Sequence, residues 1–153
     1  MTKTKKTLAA AALALAAVAR ASAAPASDFH GAVPEHTHYR VIFHVDTDAP
    51  GVFKKTLNNM RNAFDDPRLK GRVEVELIAN SKGYKIYEKG NGLEDELKAL
   101  AARGAILAQC SNTLRELKVD PATLYPFIHL VPSSMGELII RQGDGWAYIH
   151  PSA

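Results

Sequence analysis

Apolar and polar positions change period repeatedly along the chain, and each change marks an element. Tyr39 to Val45 is a β-branched and aromatic run that reads as a strand. After Pro50-Gly51, Phe53, Leu57, Met60 and Phe64 recur at i, i+4, i+7 and i+11. That spacing predicts an amphipathic helix, ended by Asp66-Pro67. Arg72 to Ala79 is the second strand. Val73, Val75 and Leu77 alternate with Glu74 and Glu76 in its first part, so one face is expected to meet solvent there. Asn80-Ser81-Lys82-Gly83 reads as a turn.

Leu93, Leu97 and Leu100 form a second helical stripe, closed by Gly104. Ala105 to Ala108 is wholly apolar, the pattern of a strand buried on both faces of a parallel sheet. A short third helix is expected from Ser111 to Leu117. Phe127 to Val131, between Pro126 and Pro132, reads as a fourth strand. Met135, Leu138, Ile139 and Gln142 trace a fourth helix, and Trp146 to Ile149 a last strand. Strands alternating with helices at this spacing predict one α/β domain of three layers, α/β/α, on a mostly parallel sheet of about five strands. Ligands in such sheets sit beyond the carboxyl ends of the strands. That rim comprises Asp46-Thr47-Asp48, Asn80 to Gly83, Gln109 to Thr113, and Pro132-Ser133-Ser134.

The first residues follow a different pattern. Lys3, Lys5 and Lys6 precede an apolar run from Leu8 to Val18, and Ala21-Ser22-Ala23 offers a small-residue cleavage site. This is the signature of a secretory signal peptide over residues 1–23, and the run is shorter than the about 20 residues a membrane-spanning helix needs. Residues 24–38 are rich in Ala, Pro, Ser and His without periodicity and read as an N-terminal arm, with the domain over residues 39–153. The expected protein is exported and periplasmic, with no membrane association after cleavage.

Export changes the charge balance. The chain has 19 basic and 16 acidic residues. Lys3, Lys5, Lys6 and Arg20 leave with the signal, so the exported chain carries 15 against 16 and a net charge of −1. Without a basic run or basic residues interleaved with aromatics, nucleic acid is not an expected partner. The single cysteine, Cys110, makes no internal disulfide and is therefore buried and inert, paired with another chain, or chemically used.

Cys110 stands where a strand gives way to a helix. There, unpaired backbone N–H groups and the positive end of the helix dipole favour a thiolate. Cys110, Leu114 and Leu117 also share one helical face, so the thiol equally suits a core position. Asn112 and Thr113 are candidate partners of the thiol or helix caps, and Ser111 is a cap. Asn80 and Gly83 serve a turn or the rim; Ser133 and Ser134 cap the fourth helix or hold an anion. His36 and His38 form a lone H-x-H, a weak metal motif, and His44 and His129 lie inside strands. Asp46 and Asp48 are expected to cap the helix that follows them. No metal, nucleotide or other cofactor is expected.

Leu57-Asn58-Asn59-Met60-Arg61-Asn62, Ala108-Gln109-Cys110-Ser111-Asn112-Thr113, Val131-Pro132-Ser133-Ser134 and Gly145-Trp146-Ala147-Tyr148-Ile149-His150-Pro151 together resemble the exported branch of the DsrE/DsrF-like family. The resemblance spans residues 39–151. It implies a DsrE-like domain, assembly into a homotrimer or homohexamer, and a persulfide carried on the cysteine at the junction that Cys110 occupies. It further implies a sulfur donor or acceptor, protein or small molecule, as partner; in the expected mechanism Asn112 and Thr113, beside the thiol, orient it. Asn80-Ser81-Lys82-Gly83 stands where the family often has a Gly-Pro-Gly type of turn. The alternative is a non-enzymatic oligomeric protein that binds a small anion or a partner and keeps the cysteine inert.

Overall fold

The computed structural model describes residues 29–152. The chain divides into two compact units, residues 1–32 and 33–153. Of the first, only residues 29–32 are described, and they form no regular element. The expected signal peptide and residues 24–28 of the expected arm lie outside the described residues.

The second unit runs β1 (Tyr39–Val45), α1 (Pro50–Asp65), β2 (Val73–Ala79), a 3-10 segment (Ser81–Tyr87), α2 (Glu94–Ala102), β3 (Ile106–Cys110), α3 (Ser111–Glu116), a short 3-10 turn (Pro121–Thr123), β4 (His129–Val131), α4 (Ser134–Gly143) and β5 (Ala147–Ile149). All five strands are parallel, in the order β4-β3-β2-β1-β5, with helices on both sides. The expected α/β class and strand number hold.

The order dictates how the helices divide. From β1 to β4 the chain steps steadily in one direction, so right-handed crossovers keep their connecting helices on one face. The step from β4 to β5 returns across the sheet, and the same handedness puts α4 on the opposite face. Two buried clusters agree. The larger joins Phe43, Val45, Leu77 and Leu107 to Leu57 and Met60 of α1, Leu97 and Leu100 of α2, and Leu114 of α3. The smaller joins Ile42, Ile78 and Ala108 to Leu138 of α4 and to Trp146.

Three local readings are corrected. The stretch after Asn80 is more than a turn: Ile86 and Tyr87 of the 3-10 segment are fully buried, and the Tyr87 hydroxyl donates to the Leu77 carbonyl at 2.7 Å. A 3-10 turn has no room for a 3.6-residue stripe, so periodicity does not reveal it. The Glu76 side of β2 does not face solvent, because α4 covers it and Glu76 is fully buried. Asp46 and Asp48 leave α1 uncapped. Asp48 pairs with Lys85 at 3.0 Å and Asp46 with His150 at 3.1 Å, while Ala49 holds the cap position.

Candidate functional site

Side chains alternate across a strand, so the face of each rim residue follows from its neighbours. Ile106 and Ala108 pack in the α4 cluster, and Cys110, two residues further on, projects to that same face. Asn80 follows Ile78, and His44 follows Ile42, in the same way. Cys110, Asn80 and His44 therefore stand on one face, at one end of adjacent strands. Cys110 is in register with Val131, immediately before the loop that enters α4.

This location is the fold's topological switch point. The chain leaves β3 into α3 on one face and leaves neighbouring β4 into α4 on the other. The crevice between two such loops is where open α/β sheets bind ligands. Cys110 occupies one side of it and Ser133-Ser134 the other.

Cys110 is both the last residue of β3 and the N-cap of α3, and only 3% of it is exposed. The Thr113 N–H donates to its Sγ at 3.5 Å. The Thr113 hydroxyl accepts the Ser81 N–H at 3.0 Å, which leaves its own proton for the sulfur. Ser134 contributes its N–H and hydroxyl from the first turn of α4. Burial pushes the Cys110 thiol up, but the Ser134 and Thr113 N–H groups, together with their hydroxyls, hold it below its ordinary value. The thiol is thus buried, and the donors around it favour the thiolate.

Ser133 is the N-cap of α4, its Oγ accepting the Gly136 N–H at 3.4 Å, as expected. Gly83 lies against β1: a Cβ there would sit 2.2 Å from the Val45 carbonyl oxygen, so only glycine fits. It thereby packs the segment that carries Ser81 against the rim. Asn112 is engaged elsewhere, its Oδ1 accepting from Arg115 at 2.7 Å.

Asn80 leads to a group the sequence did not single out. Its Oδ1 lies 2.9 Å from His44 Nε2, and His44 Nδ1 lies 2.8 Å from the Tyr148 hydroxyl. An amide oxygen only accepts, so Nε2 carries the proton and Nδ1 accepts from Tyr148. Burial holds the His44 pKa below its usual value, and this neutral tautomer satisfies both nitrogens. His150 stacks on His44 at 4.9 Å between centroids. The signal lay in register: His44 and Tyr148 approach only because β5 returns beside β1.

His36 and His38 have different partners. His38 Nε2 is 2.5 Å from Glu74 Oε1, and the His36 backbone N–H donates to the Tyr39 hydroxyl at 3.0 Å. Among the described residues no group of three or more His, Cys, Asp or Glu is placed to hold a metal ion, and no helix is long and apolar enough to cross a membrane.

The fold and this rim define a parallel α/β domain with a buried cysteine at the switch point. No family model and no curated protein matches the chain. Among solved structures, the protein of unknown function MTH1491 from Methanobacterium thermoautotrophicum is 33% identical, with a TM-score of 0.69 over 74% of this chain and 99% of that one. The chain belongs to the family of that protein. The conserved protein of unknown function BT1422 from Bacteroides thetaiotaomicron shares the fold at 11% identity, with a TM-score of 0.54 over 72% of this chain and 93% of that one.

Proposed function

We propose that the protein is a DsrE-like sulfur carrier of the periplasm, taking up sulfane sulfur as a persulfide on Cys110. The supporting observation is the thiol at the switch point, held toward the thiolate by the N–H and hydroxyl groups of Thr113 and Ser134. The thiolate sulfur attacks the terminal sulfur of a persulfide or polysulfide. A bond forms between Sγ and that sulfur, the donor's S–S bond breaks, and the remaining thiolate leaves with the electron pair. The same four donors then face the new persulfide anion. No metal or nucleotide enters the step.

The test is the intact mass of the native protein after exposure to a polysulfide. A gain of whole sulfur atoms is expected, prevented by blocking the thiol beforehand and absent from Cys110→Ser. Equal gain in Cys110→Ser overturns the reading.

Burial of Cys110 favours the second reading, a binding protein with an inert cysteine. In that case the native protein gains no sulfur, and the thiol reacts with a thiol reagent only on unfolding. Export is part of the proposal: residues 1–23 are removed and the mature chain starts at Ala24, which the mass of periplasmic protein checks. A homotrimer or homohexamer is the proposed working form, with a sulfur donor or acceptor as its transient partner.

A further inference from the structure

Asn80 is held on three sides and open on the fourth. Its backbone N–H donates to the Val45 carbonyl at 3.0 Å, and its own carbonyl accepts the Gly83 N–H at 2.8 Å. Its Oδ1 accepts from His44 Nε2 at 2.9 Å. Its side-chain NH2 makes no hydrogen bond among the described residues. The next residue, Ser81, sits at φ +46°, a left-handed conformation that a residue with a Cβ adopts at a cost. It is kept there by the hydrogen bond of its N–H to the Thr113 hydroxyl at 3.0 Å, which ties the end of β2 to the helix that Cys110 caps.

His44 is fixed in turn. It is buried, and both ring nitrogens are used, Nε2 by Asn80 and Nδ1 by the Tyr148 hydroxyl at 2.8 Å. Three side chains from the ends of β5, β1 and β2 thus form one line of hydrogen bonds, and the line ends in the two free N–H donors of Asn80. Joining the strands uses only the oxygen of this amide. The oxygen and nitrogen of a carboxamide diverge, so with Oδ1 turned to His44 on β1 the NH2 is turned away from β1. The strand on that other side is β3. The pairing of Ala79 with Gln109 puts Asn80 level with Cys110, on the same face, one strand spacing or about 5 Å away.

We propose that Asn80 binds the outer sulfur of a persulfide on Cys110 through its NH2, and that His44, held by Tyr148, is the positioning residue that keeps this end of the amide toward the sulfur. The inference rests on the sulfur-carrier reading and names a further donor for it. When the Cys110 thiolate takes the terminal sulfur of R–S–SH, the Sγ–S bond forms and the donor's S–S bond breaks. The departing sulfur leaves with the electron pair and takes up the S–H proton, so R–SH is released and the transferred sulfur remains as the anionic end of the persulfide. That atom stands about 2 Å beyond Sγ. Thr113 donates to Sγ itself, and the outer sulfur needs a donor further along the rim. An amide turned the other way would present its oxygen to this anion. The neutral His44 tautomer, with its proton on Nε2, is what prevents that turn.

The experiment compares two rates on the native full-length protein, both read by intact mass. One is sulfur loading from sodium polysulfide; the other is alkylation of Cys110 by iodoacetamide, which is uncharged and leaves no outer sulfur. A change that merely displaces Cys110 or alters its thiolate moves both, so the ratio of loading to alkylation isolates the donor to the outer sulfur. In Asn80→Ala this ratio should fall by about 10- to 100-fold, the weight of one hydrogen bond to an anion. His44→Leu, which frees the amide to turn, should lower it by about tenfold. His44→Gln places an amide N–H where Nε2 stood and should keep the ratio near the wild-type value. A wild-type ratio in folded Asn80→Ala, or equal ratios in His44→Leu and His44→Gln, overturns the proposal. If Asn80→Ala does not fold, the two His44 variants decide. Wild-type protein that loads while the variants load equally well removes this inference alone, whereas wild-type protein that takes up no sulfur removes the carrier reading and this inference with it.

Discussion

At Gly83 a single missing carbon decides the backbone. The Val45 carbonyl occupies the space a Cβ would need, and this carbonyl also accepts the Asn80 N–H at 3.0 Å. Gly83→Ala must push the 3-10 segment off β1 and disturb both Asn80 and Ser81. A loss of roughly 2–3 kcal/mol is expected, read from urea unfolding, together with slower sulfur loading. His44 gives a pH-dependent case. Its folded pKa lies below the unfolded value of 6.5, so the unfolded chain binds more protons as pH falls. The stability this histidine contributes is complete above pH 6.5 and declines as pH drops toward its folded pKa. Thermal unfolding at pH 5 and pH 8 should show a more favourable pH 5 relative to pH 8 for His44→Gln than for the wild type. An unchanged difference would show that His44 already titrates normally in the fold. Both residues mark what sequence could reveal. Cys110 was legible as the one cysteine, at a strand-to-helix junction, and Asn80, Gly83, Thr113, Ser133 and Ser134 because turn and cap chemistry flags residues locally. His44, Tyr148 and Glu76 were not, because each acquires its role from a strand or helix distant in sequence.

Helix α4 is the element on which the site's chemistry depends. Its first turn brings Ser134 to Cys110, and Ser133 caps it, whereas α3 offers the thiol only its own Thr113. The two sources of donors are separable. Ser134→Ala removes one hydroxyl while leaving the backbone N–H and the Ser133 cap in place. The Cys110 pKa should rise, seen as a shift of thiolate absorbance to higher pH, with little change in stability. If the titration does not move, the Ser134 hydroxyl plays no part and the thiolate is held by the backbone N–H groups and the Thr113 hydroxyl. The element's existence was plain from Met135, Leu138, Ile139 and Gln142, but its face was not. The apolar stripe does not say which side of a sheet a helix joins; the return from β4 to β5 says it, and strand order is a property of the whole sheet. For the same reason Glu76 was read as a solvent-facing residue of an alternating strand. Alternation separates the two faces of a strand and is silent about what covers each.

For the whole molecule, the uneven division of helices between the two faces has a consequence at the surface. The face that α4 covers holds the smaller cluster, and α4 itself turns Met135, Ile139 and Ile140 outward, at 50%, 71% and 59% exposure. Three large apolar side chains on one ten-residue helix form the kind of patch that marks an interaction surface. The proposed trimer or hexamer would bury them, and the rim with Cys110 would then lie beside a subunit boundary. Ile139→Glu tests this most directly, since Ile139 is the most exposed of the three and its replacement leaves Leu138 and Ser134 untouched. Sedimentation velocity should show the wild type as a defined oligomer and Ile139→Glu as a smaller species with unaltered secondary structure. If both sediment as monomers, the patch serves another partner and the sulfur-carrier reading must stand on a single chain. If both remain oligomers of one size, the contact lies elsewhere, and the exposed edges β4 and β5 are the next surfaces to alter. Loss of association with retained polysulfide loading would show that one subunit completes the site. Loss of both would place the neighbouring subunit in the chemistry of Cys110.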